Sequence, residues 1–433
     1  MLVDKFKTFA IHTLGCKVNL YESEAMANEL RSLGLIELDF NTKADIYIIN
    51  TCSVTNVADA KSRNIIARAK RKNKDALVIV AGCYSQVASQ EIKNKLNVDI
   101  IIGNKFKNNL CSLIEQWLKK HQTLIKIDNL LLEKEFEEIN LANYEKRTRA
   151  FIKIQDGCNF MCSYCSIPFT RGKQRSAPLN KIINDIKQFN KNGFQEIVLT
   201  GVNTAGYLDQ DNHNFYSLLK SIKEIDGTFR VRISSLEPFQ ITDEMIELIT
   251  NNPERFCNHW HICLQAGCDK TLKNMNRKYT CDDFKKIIEK IRSKSANVSI
   301  STDVIVGFPT ETEDDFIKSY NFIKQMNFST LHVFPYSKRK ATAANNIKNI
   351  VKSKEKSERV QKMIFLSNEM NKKYVKQFIN KEIEVIFEKE ENNTYVGKSS
   401  EYLNVASKNS NLMLNKITKL KVDSVINNLL ICK

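Results

Sequence analysis

The 433-residue sequence contains no run of about 20 apolar residues, the length that a membrane-spanning helix needs. Its first seven residues also lack the apolar stretch of a secretory signal peptide. We therefore expect a cytoplasmic protein with no membrane contact. Its twelve cysteines would stand in a reducing compartment, where metal ligation or packing is expected rather than disulfide bonds.

Acidic residues are scarce relative to basic ones, 49 against 66, which gives a formal net charge of +17. A basic protein of this size suggests an anionic partner, nucleic acid above all. The heavy use of lysine, asparagine and isoleucine leaves a biased genome as the alternative. Residues 61–74 give a local signal, because basic residues with no acid combine there with an apolar stripe. This pattern predicts a helix with a basic outer face, unless the face is merely solvated.

A fourth cysteine is also missing from the most distinctive motif. Cys158, Cys162 and Cys165 form a Cys-x3-Cys-x2-Cys loop, and no further cysteine follows at ferredoxin spacing. Three thiolates can hold three irons of a [4Fe–4S] cluster and leave the fourth iron open to bind and reduce a ligand. The alternatives are three unrelated thiols or a zinc loop, although zinc favours Cys-x2-Cys pairs and a fourth ligand.

Strand and helix patterns alternate over the first 120 residues or so, which predicts an α/β domain with a parallel, doubly wound sheet. The predicted strands lie at 8–12, 45–49, 77–81 and 99–102. Cys16, Cys52 and Cys83 each follow one of the first three strands. Because ligand sites form beyond the carboxyl ends of such strands, we expect these cysteines to converge into a second three-thiolate iron–sulfur site. Buried packing cysteines are the alternative.

The rest of the chain shows two further changes of pattern. Six strand patterns alternate with helical ones, at 151–155, 196–199, 230–234, 259–264, 298–305 and 330–335. They predict a partial (β/α)6 barrel whose site lies at the carboxyl ends of the strands. Short strand patterns then predict a five-stranded C-terminal β-barrel, at 383–387, 395, 402–405, 412–414 and 419–425. The predicted domains are an N-terminal domain, an acidic linker, the partial barrel and the β-barrel, at 1–121, 122–147, 148–376 and 377–433.

The whole chain resembles the radical SAM methylthiotransferases, including their TRAM-like C-terminal barrel. Beyond the cysteines, the likeness rests on segments 197–203, 232–238, 302–312 and 332–337. It implies that a cluster on the 158–165 loop donates an electron to S-adenosylmethionine (SAM), whose cleavage gives a radical that abstracts hydrogen. It also implies that a cluster at Cys16, Cys52 and Cys83 delivers sulfur and that a second SAM supplies the methyl group.

The resemblance further implies a SAM site at the mouth of the partial barrel. The residues that it assigns to SAM are Tyr164, Thr200, Gly201, Asn203, Arg232, Ser234, Glu237, Gln265 and Gly307. Cys263 and Cys268 depart from the family pattern, in which Pro and Ser are usual at these places. With Cys257 or Cys281 they leave a further metal site open, against tolerated replacement by small residues.

Residues 14–19 and 50–59 are most similar to the family members that act on threonylcarbamoyladenosine 37 of tRNA. The resemblance implies a base that is presented by the anticodon loop and enters a pocket. Arg63, Lys70 and Lys74 on the basic face are expected to contact RNA phosphates. The alternatives are isopentenyladenosine 37, an aspartate of a ribosomal protein, or a non-catalytic iron–sulfur RNA-binding protein. Expected partners are tRNA, a sulfur source and an electron donor such as a flavodoxin or ferredoxin.

Overall fold

The computed structural model describes residues 2–139, 141, 143–145, 147–295 and 297–433, which form two compact units. Unit 1 consists of Met1–Leu141, Gln155–Ala177 and Ser337–Asn345. Unit 2 consists of Ala142–Ile154, Pro178–Tyr336 and Asn346–Lys433. Within the described ranges, no helix is both long and apolar enough to cross a membrane.

Unit 1 is built on a six-stranded parallel sheet with the order β2-β1-β3-β4-β5-β6. Its first elements are α1 (Leu2–Lys5), β1 (Thr8–Thr13), α2 (Lys17–Ser32), β2 (Ile36–Glu37), β3 (Ile46–Thr51), α3 (Asn56–Lys72), β4 (Leu77–Gly82), α4 (Cys83–Lys95), β5 (Ile100–Ile102), α5 (Leu110–Lys120) and β6 (Leu124–Lys126). Neighbouring residues of one strand, such as Ile48 and Ile49, enter two separate hydrophobic cores. Apolar layers therefore cover both faces, which confirms the doubly wound prediction.

Two strands of this sheet were not predicted. β2 pairs with β1, and β6 pairs with β5 in the segment that the sequence suggested was an irregular linker. That part of the linker prediction is wrong. Both strands are too short, at two and three residues, to show an alternating apolar pattern of their own.

The sheet reverses its strand order at β1, because β2 pairs with one edge of this strand and β3 with the other. Open α/β sheets bind ligands beyond the carboxyl ends of the strands at such a switch point. β1 ends at Thr13, three residues before Cys16, and β3 ends at Thr51, directly before Cys52. The topology thus places two of the predicted ligands at the expected position.

The strand β7 (Ala150–Lys153) of unit 2 leads along the chain into segment 155–177 of unit 1. This segment contains β8 (Gln155–Asp156), α6 (Ile167–Arg171) and β9 (Arg175–Ser176). β8 and β9 pair in antiparallel fashion and close the base of the loop that carries Cys158, Cys162 and Cys165.

Unit 2 contains the predicted six parallel strands of the partial barrel. After β7 its elements are α7 (Leu179–Lys191), β10 (Glu196–Thr200), α8 (Phe215–Lys223), β11 (Arg230–Ile233), α9 (Asp243–Thr250), β12 (His259–His261), α10 (Asp269–Asn274), α11 (Cys281–Lys294), β13 (Ser299–Val306), α12 (Glu313–Met326), β14 (Thr330–Pro335) and α13 (Ser353–Lys376). The sheets β7-β10-β11 and β12-β13-β14 are linked by single parallel bridges, Val231 with Phe256 and Leu236 with Ile262. This arrangement confirms the prediction of an open, partial barrel.

The C-terminal residues of unit 2 form a closed five-stranded barrel, as predicted, with the order β15-β16-β17-β19-β18. Its strands are β15 (Glu382–Glu391), β16 (Thr394–Ser399), β17 (Asn404–Ser407), β18 (Ile417–Ile426) and β19 (Leu429–Cys432). The predicted strand at 412–414 is wrong. Leu412 fills the barrel core from a loop, which gave this segment its apolar character, and the fifth strand is β19.

Candidate functional site: two sets of three cysteines

Unit 1 brings Cys16, Cys52 and Cys83 together at the carboxyl edge of its sheet. Cys16 directly precedes α2, Cys52 follows β3, and Cys83 is the first residue of α4. Burial raises the pKa of the Cys52 thiol to about 12, and the neighbouring Cys83 and Cys16 thiols contribute to the shift. A metal that takes thiolates would remove the cost of keeping three such groups side by side.

Two glycines allow this close approach. A Cβ atom on Gly15 would lie 3.0 Å from Cys52 Sγ, and one on Gly82 would lie 2.5 Å from Thr51 O. Both glycines also have positive φ angles, near +100° and +99°, which a side chain would strain. A side chain at either place would therefore push the strand ends, and the cysteines after them, apart.

The loop with Cys158, Cys162 and Cys165 is a compact turn whose three thiols are half-buried. The Cys158 N–H donates to Gly172 O at 3.0 Å, and the Cys165 N–H donates to Cys162 O at 3.0 Å. The Phe160 N–H points to Cys158 Sγ at 3.4 Å. An amide directed at sulfur stabilises a thiolate, so this loop fits the ligands of an iron–sulfur cluster. Tyr164, predicted to contact SAM, is half-buried in the same turn.

Arg171 connects the two cysteine sets within unit 1. Its side chain is 1% exposed and donates to Glu22 Oε1 at 2.9 Å, Asp156 Oδ1 at 3.0 Å and Asn19 Oδ1 at 2.6 Å. The guanidinium charge also lowers the pKa of the Cys16 and Cys52 thiols, against the larger raising effect of burial. The sequence analysis missed Arg171, although its place six residues after the third cysteine of the loop was a usable signal.

A second buried chain of polar contacts runs beside Arg171. Lys107 forms an ion pair with Glu22, with both side chains fully buried, and donates to Asn104 Oδ1 at 2.9 Å. The amide group of Asn104 donates to Thr170 O at 2.8 Å and contacts Cys83 Sγ at 3.4 Å. Because Thr170 lies in α6, directly after the 158–165 loop, the amide ties that loop to Cys83.

The third segment of unit 1, Ser337–Asn345, is anchored on both sides of this site. Both terminal nitrogens of Arg339 donate to Asp59 Oδ2 at 2.6 Å, next to the start of α3. The Ala344 N–H donates to Ser163 O at 2.7 Å, inside the cysteine loop. Segment 337–345 therefore fixes the loop relative to α3.

The predicted basic face lies on α3 and the turn after it, but its residues differ in availability. Lys74 is exposed, whereas Arg63 donates to the Tyr84 hydroxyl at 3.1 Å. Lys70 pairs with Asp99 Oδ2 at 2.9 Å and donates to Ala76 O at 2.7 Å. The prediction that Lys70 offers its charge to RNA is therefore wrong, because an internal carboxylate already neutralises it. Other basic residues of the face are exposed, namely Lys61, Arg71 and Lys72.

Arg232 in unit 2 does not face a cofactor, and its assignment to SAM is corrected. Its side chain is fully buried and donates to Glu196 Oε1 at 2.7 Å and to the carbonyl oxygens of Ser399 and Ser400 at 2.9 and 3.0 Å. Arg230 donates to the same carboxylate at 2.9 Å. Burial alone would raise the pKa of Glu196, but the two guanidinium charges lower it further than burial raises it. This cluster holds the C-terminal barrel against β10 and β11.

Two further predicted SAM residues have internal partners in unit 2. Burial raises the pKa of Glu237, and its ion pair with Arg277 opposes the shift. The Gly307 N–H donates to Glu311 Oε1 at 3.0 Å, and Glu311 is in turn paired with Arg359. Both groups therefore shape the loops after their strands, and they would need to exchange partners to hold a ligand.

The remaining predicted SAM residues lie at strand ends of unit 2, as expected. Thr200 ends β10, Gly201 and Asn203 follow it, and Gln265 lies beyond β12 with a φ of +69°. Within the part of the chain that the structure describes, the buried hydroxyl of Ser234 has no hydrogen-bond partner. A buried orphan hydroxyl beyond β11 fits a site that a polar ligand completes.

The cysteines Cys257, Cys263, Cys268 and Cys281 all belong to unit 2. Cys257, Cys263 and Cys268 are buried and Cys281 is half-buried. None of the four belongs to a group of three closely spaced ligand atoms among the described residues. Cys263 Sγ does lie 3.9 Å from Asp303 Oδ2, and Cys268 Sγ lies 3.7 Å from Asp315 Oδ1.

Comparison with protein families identifies two parts of the chain. Residues 8–103 match the family described as "Uncharacterized protein family UPF0004". Residues 152–323 match the radical SAM superfamily. The first match covers strands β1 to β5 of the sheet that carries Cys16, Cys52 and Cys83, and the second covers the 158–165 loop and most of the partial barrel.

Comparison with curated proteins finds relatives over nearly the whole chain. The threonylcarbamoyladenosine tRNA methylthiotransferase MtaB of Bacillus subtilis (strain 168) is 42% identical, over 96% of this chain and 93% of that protein. The protein of the same name from Aquifex aeolicus (strain VF5) is 36% identical, over 87% and 92%. The tRNA-2-methylthio-N(6)-dimethylallyladenosine synthase of Carboxydothermus hydrogenoformans is 35% identical, over 84% and 85%.

Solved structures share the fold at low sequence identity. The radical S-adenosylmethionine methyltransferase TsrM from Kitasatospora setae matches with a TM-score of 0.57 and 12% identity, over 78% of this chain and 77% of that one. The cobalamin-dependent S-adenosylmethionine radical enzyme OxsB matches with a TM-score of 0.51, over 83% and 56%. At such identities the likeness concerns the fold alone.

Replacing Arg171 by Met should lower the free energy of unfolding by about 3–5 kcal/mol, because the buried carboxylates of Asp156 and Glu22 would lose the positive charge that Arg171 places between them. Chemical denaturation under anaerobic conditions measures the change. The control is Arg175→Met, since the hydrogen bonds of Arg175 within the described residues go to the carbonyl oxygens of Lys173 and Arg171. Its loss should stay below about 1 kcal/mol. Equal losses in the two variants would contradict the central part assigned to Arg171.

Proposed function

The chain belongs to the radical SAM methylthiotransferases, close to those that act on threonylcarbamoyladenosine in tRNA, and we propose how its residues share the reaction. The enzyme converts N6-threonylcarbamoyladenosine at position 37 of tRNA to its 2-methylthio derivative. Its cofactors are two [4Fe–4S] clusters and SAM. The main support for the proposed roles is that Arg171 and Asn104 connect the two three-cysteine sets in unit 1.

Cys158, Cys162 and Cys165 would hold the cluster that binds SAM, and Cys16, Cys52 and Cys83 would hold the second cluster. When bound, these groups supply the electron, the radical and the sulfur that replacement of an aromatic C–H requires. The sequence left three alternatives open, namely a zinc loop, packing cysteines and a non-catalytic binding protein. None of them requires both a second three-cysteine set and a cluster with an open iron.

The chain's own residues would position and shield these groups. Arg171 keeps a positive charge beside the second thiolate set and thereby favours its anionic form. Asn104 directs its amide group at Cys83 Sγ and fixes the orientation of that ligand. Ser234, Thr200 and Gln265 would line the SAM site from the ends of the unit 2 strands.

The basic face on α3 would contact the anticodon stem through Lys61, Arg71, Lys72 and Lys74. These charges are exposed, and phosphate contacts position an RNA without specifying its sequence. The threonylcarbamoyl group would provide the specificity. A pocket with polar groups placed for it rejects the apolar isopentenyl group, because those polar groups would lose their partners.

The remaining expectations concern the cell and the chain borders. A tRNA substrate favours a cytoplasmic location, and reductive cleavage of SAM requires an electron donor such as a flavodoxin or ferredoxin. A renewed supply of sulfur is also needed for each turnover. The functional domains would be a methylthiotransferase domain at 1–121, a radical SAM core at 148–376 and a TRAM-like barrel at 377–433. Of the segment 122–147 between the first two, Leu124–Lys126 form β6 and the residues after them would be the linker.

Analysis of tRNA nucleosides from a deletion strain tests the function. The methylthio-threonylcarbamoyl nucleoside should disappear from the digest, and the cloned gene should restore it. Mass spectrometry of the total tRNA digest measures both outcomes. Loss of the methylthio-isopentenyl nucleoside instead, or an unchanged tRNA and an altered ribosomal protein, would show that the assigned substrate is wrong.

The two cysteine sets should be separable by substitution. The anaerobically reconstituted enzyme should contain about eight irons, and replacing Cys158, Cys162 and Cys165 together by Ala should leave about four. Cys52→Ala should still cleave SAM to 5′-deoxyadenosine but form no methylthiolated product, because only the sulfur-delivering set is damaged. Iron analysis and product chromatography measure these effects. The control is Cys432→Ala in the C-terminal barrel, which should change neither the iron content nor the product.

Removing exposed charge from α3 should weaken binding of every tRNA alike. The triple variant Lys61→Ala, Arg71→Ala, Lys74→Ala should lower the slope of log affinity against log salt by about 1 for each lost phosphate contact. SAM cleavage without tRNA should be unchanged. Filter binding over a salt series measures the slope.

A matched triple variant on α7 and α8, Lys187→Ala, Lys191→Ala and Lys220→Ala, removes the same charge from other exposed positions. Its salt slope should stay at the wild-type value. The same decrease in both triple variants would mean that net charge, rather than the α3 face, attracts the tRNA.

A further inference from the structure

The sheet β12-β13-β14 carries a compact group of metal-ligating side chains that the reaction described above does not use. His261, Asp303 and His332 each offer a ligand atom, and these atoms lie within 4.8 Å of one another. The group lies wholly in unit 2, on three adjacent parallel strands.

The register of the sheet explains why the three side chains meet. His261 is paired with Ser301 on β13, and Asp303 is paired with His332 on β14. Ser301 and Asp303 are two residues apart, so their side chains point to the same face of the sheet. Residues of the opposite face, such as Val304 and Leu331, are buried in the core. The three ligands therefore share the face that is open to solvent near Phe334, which is 40% exposed.

The spacing suits a divalent cation. His261 Nε2 and Asp303 Oδ2 are 3.3 Å apart. Two ligand atoms at roughly 2.1 Å from one metal stand about 3.0–3.4 Å apart in octahedral or tetrahedral geometry. The rings of His261 and His332 are 5.4 Å apart between centroids, so both imidazoles border the same space.

The surrounding contacts are those of a metal-binding histidine. The other ring nitrogen of His261, Nδ1, lies 2.9 Å from Ser301 Oγ, and this hydrogen bond fixes the orientation of the ring. The Cys263 thiol is a further neighbour, 3.9 Å from Asp303 Oδ2.

We propose that His261, Asp303 and His332 bind one divalent transition-metal ion through two imidazole nitrogens and one carboxylate oxygen. A site with two histidines and one carboxylate leaves coordination positions open. Because the ligands come from one side only, those positions face the open side of the sheet and take oxygen ligands. The threonylcarbamoyl group carries a carboxylate, and on the basis of the proposed function this carboxylate is the ligand that we assign to them.

Mn²⁺ titration of the reconstituted holoenzyme without tRNA tests the site. The six-line electron paramagnetic resonance signal of free Mn²⁺ at room temperature should report binding of about one ion per chain. His332→Ala and Asp303→Asn should abolish this binding, and Ser301→Ala should weaken it about 10-fold. Zn²⁺ should displace the Mn²⁺, because it binds such ligands more tightly. His332 is exposed, so His332→Gln provides a second substitution that does not disturb the core.

The control variant is His213→Ala, which removes a ligand from the other possible group, Asp209, Asp211 and His213. Mn²⁺ binding should be unchanged in this variant, and the iron content should be unchanged in all variants. Absence of Mn²⁺ binding, or binding that is lost with His213 and kept without His332, would overturn the proposal and leave a hydrogen-bonded cluster only.

Water-proton relaxation tests the ligand assigned to the open positions. The nucleoside N6-threonylcarbamoyladenosine should displace water from the bound Mn²⁺ and lower the relaxation enhancement, whereas N6-isopentenyladenosine should not. Mn²⁺ binding without any effect of the first nucleoside would disprove the assigned ligand while the metal site stands. Neither result depends on the nucleoside analysis of the deletion strain, so the failure of this inference and of the proposed function can be distinguished.

Discussion

The buried guanidinium of Arg171 is the constraint on which the arrangement of unit 1 depends. Glu22, Asp156, Lys107 and Arg171 are all less than 5% exposed, and two negative charges are balanced by two positive ones. A buried charge without a partner costs several kcal/mol, so the segments that carry these residues have one arrangement in which every charge is paired. The same pairing fixes the position of the first part of α2, which follows Cys16, and of β8, which precedes Cys158.

Unit 2 uses the same principle for a different purpose. Glu196 on β10 accepts hydrogen bonds from Arg230 and Arg232 on β11, and these two arginines also donate to carbonyl oxygens of the C-terminal barrel. One buried carboxylate therefore orients two guanidinium groups, which specify where the barrel packs. An exposed ion pair would contribute little by comparison, because water would compete for every one of its groups.

The sequence predicted the features that depend on local patterns. It did not predict the features that depend on contacts between residues far apart in the chain. Strand ends are visible in the alternation of strands and helices, so the convergence of Cys16, Cys52 and Cys83 followed from topology. β2 and β6 gave no periodic signal. Arg232 and Lys70 were misassigned because their partners, Glu196 and Asp99, are 36 and 29 residues away in the chain. Nothing in a single sequence distinguishes a cation that is free for a ligand from one with a distant internal partner.

Because unit 1 is discontinuous in sequence, it cannot be completed until its last segment has been translated. Segment Ser337–Asn345 completes the surroundings of the cysteine loop through Arg339 and Ala344, yet roughly 160 residues separate it from Ala177. At about 5–20 residues per second, those residues take about 10–30 s to synthesise. During that time the cysteine loop has left the ribosome but lacks its contacts with this segment. A cluster inserted during that time would lie on a loop that is not yet fixed in place. The order of synthesis therefore favours insertion of the clusters after the segment has been made.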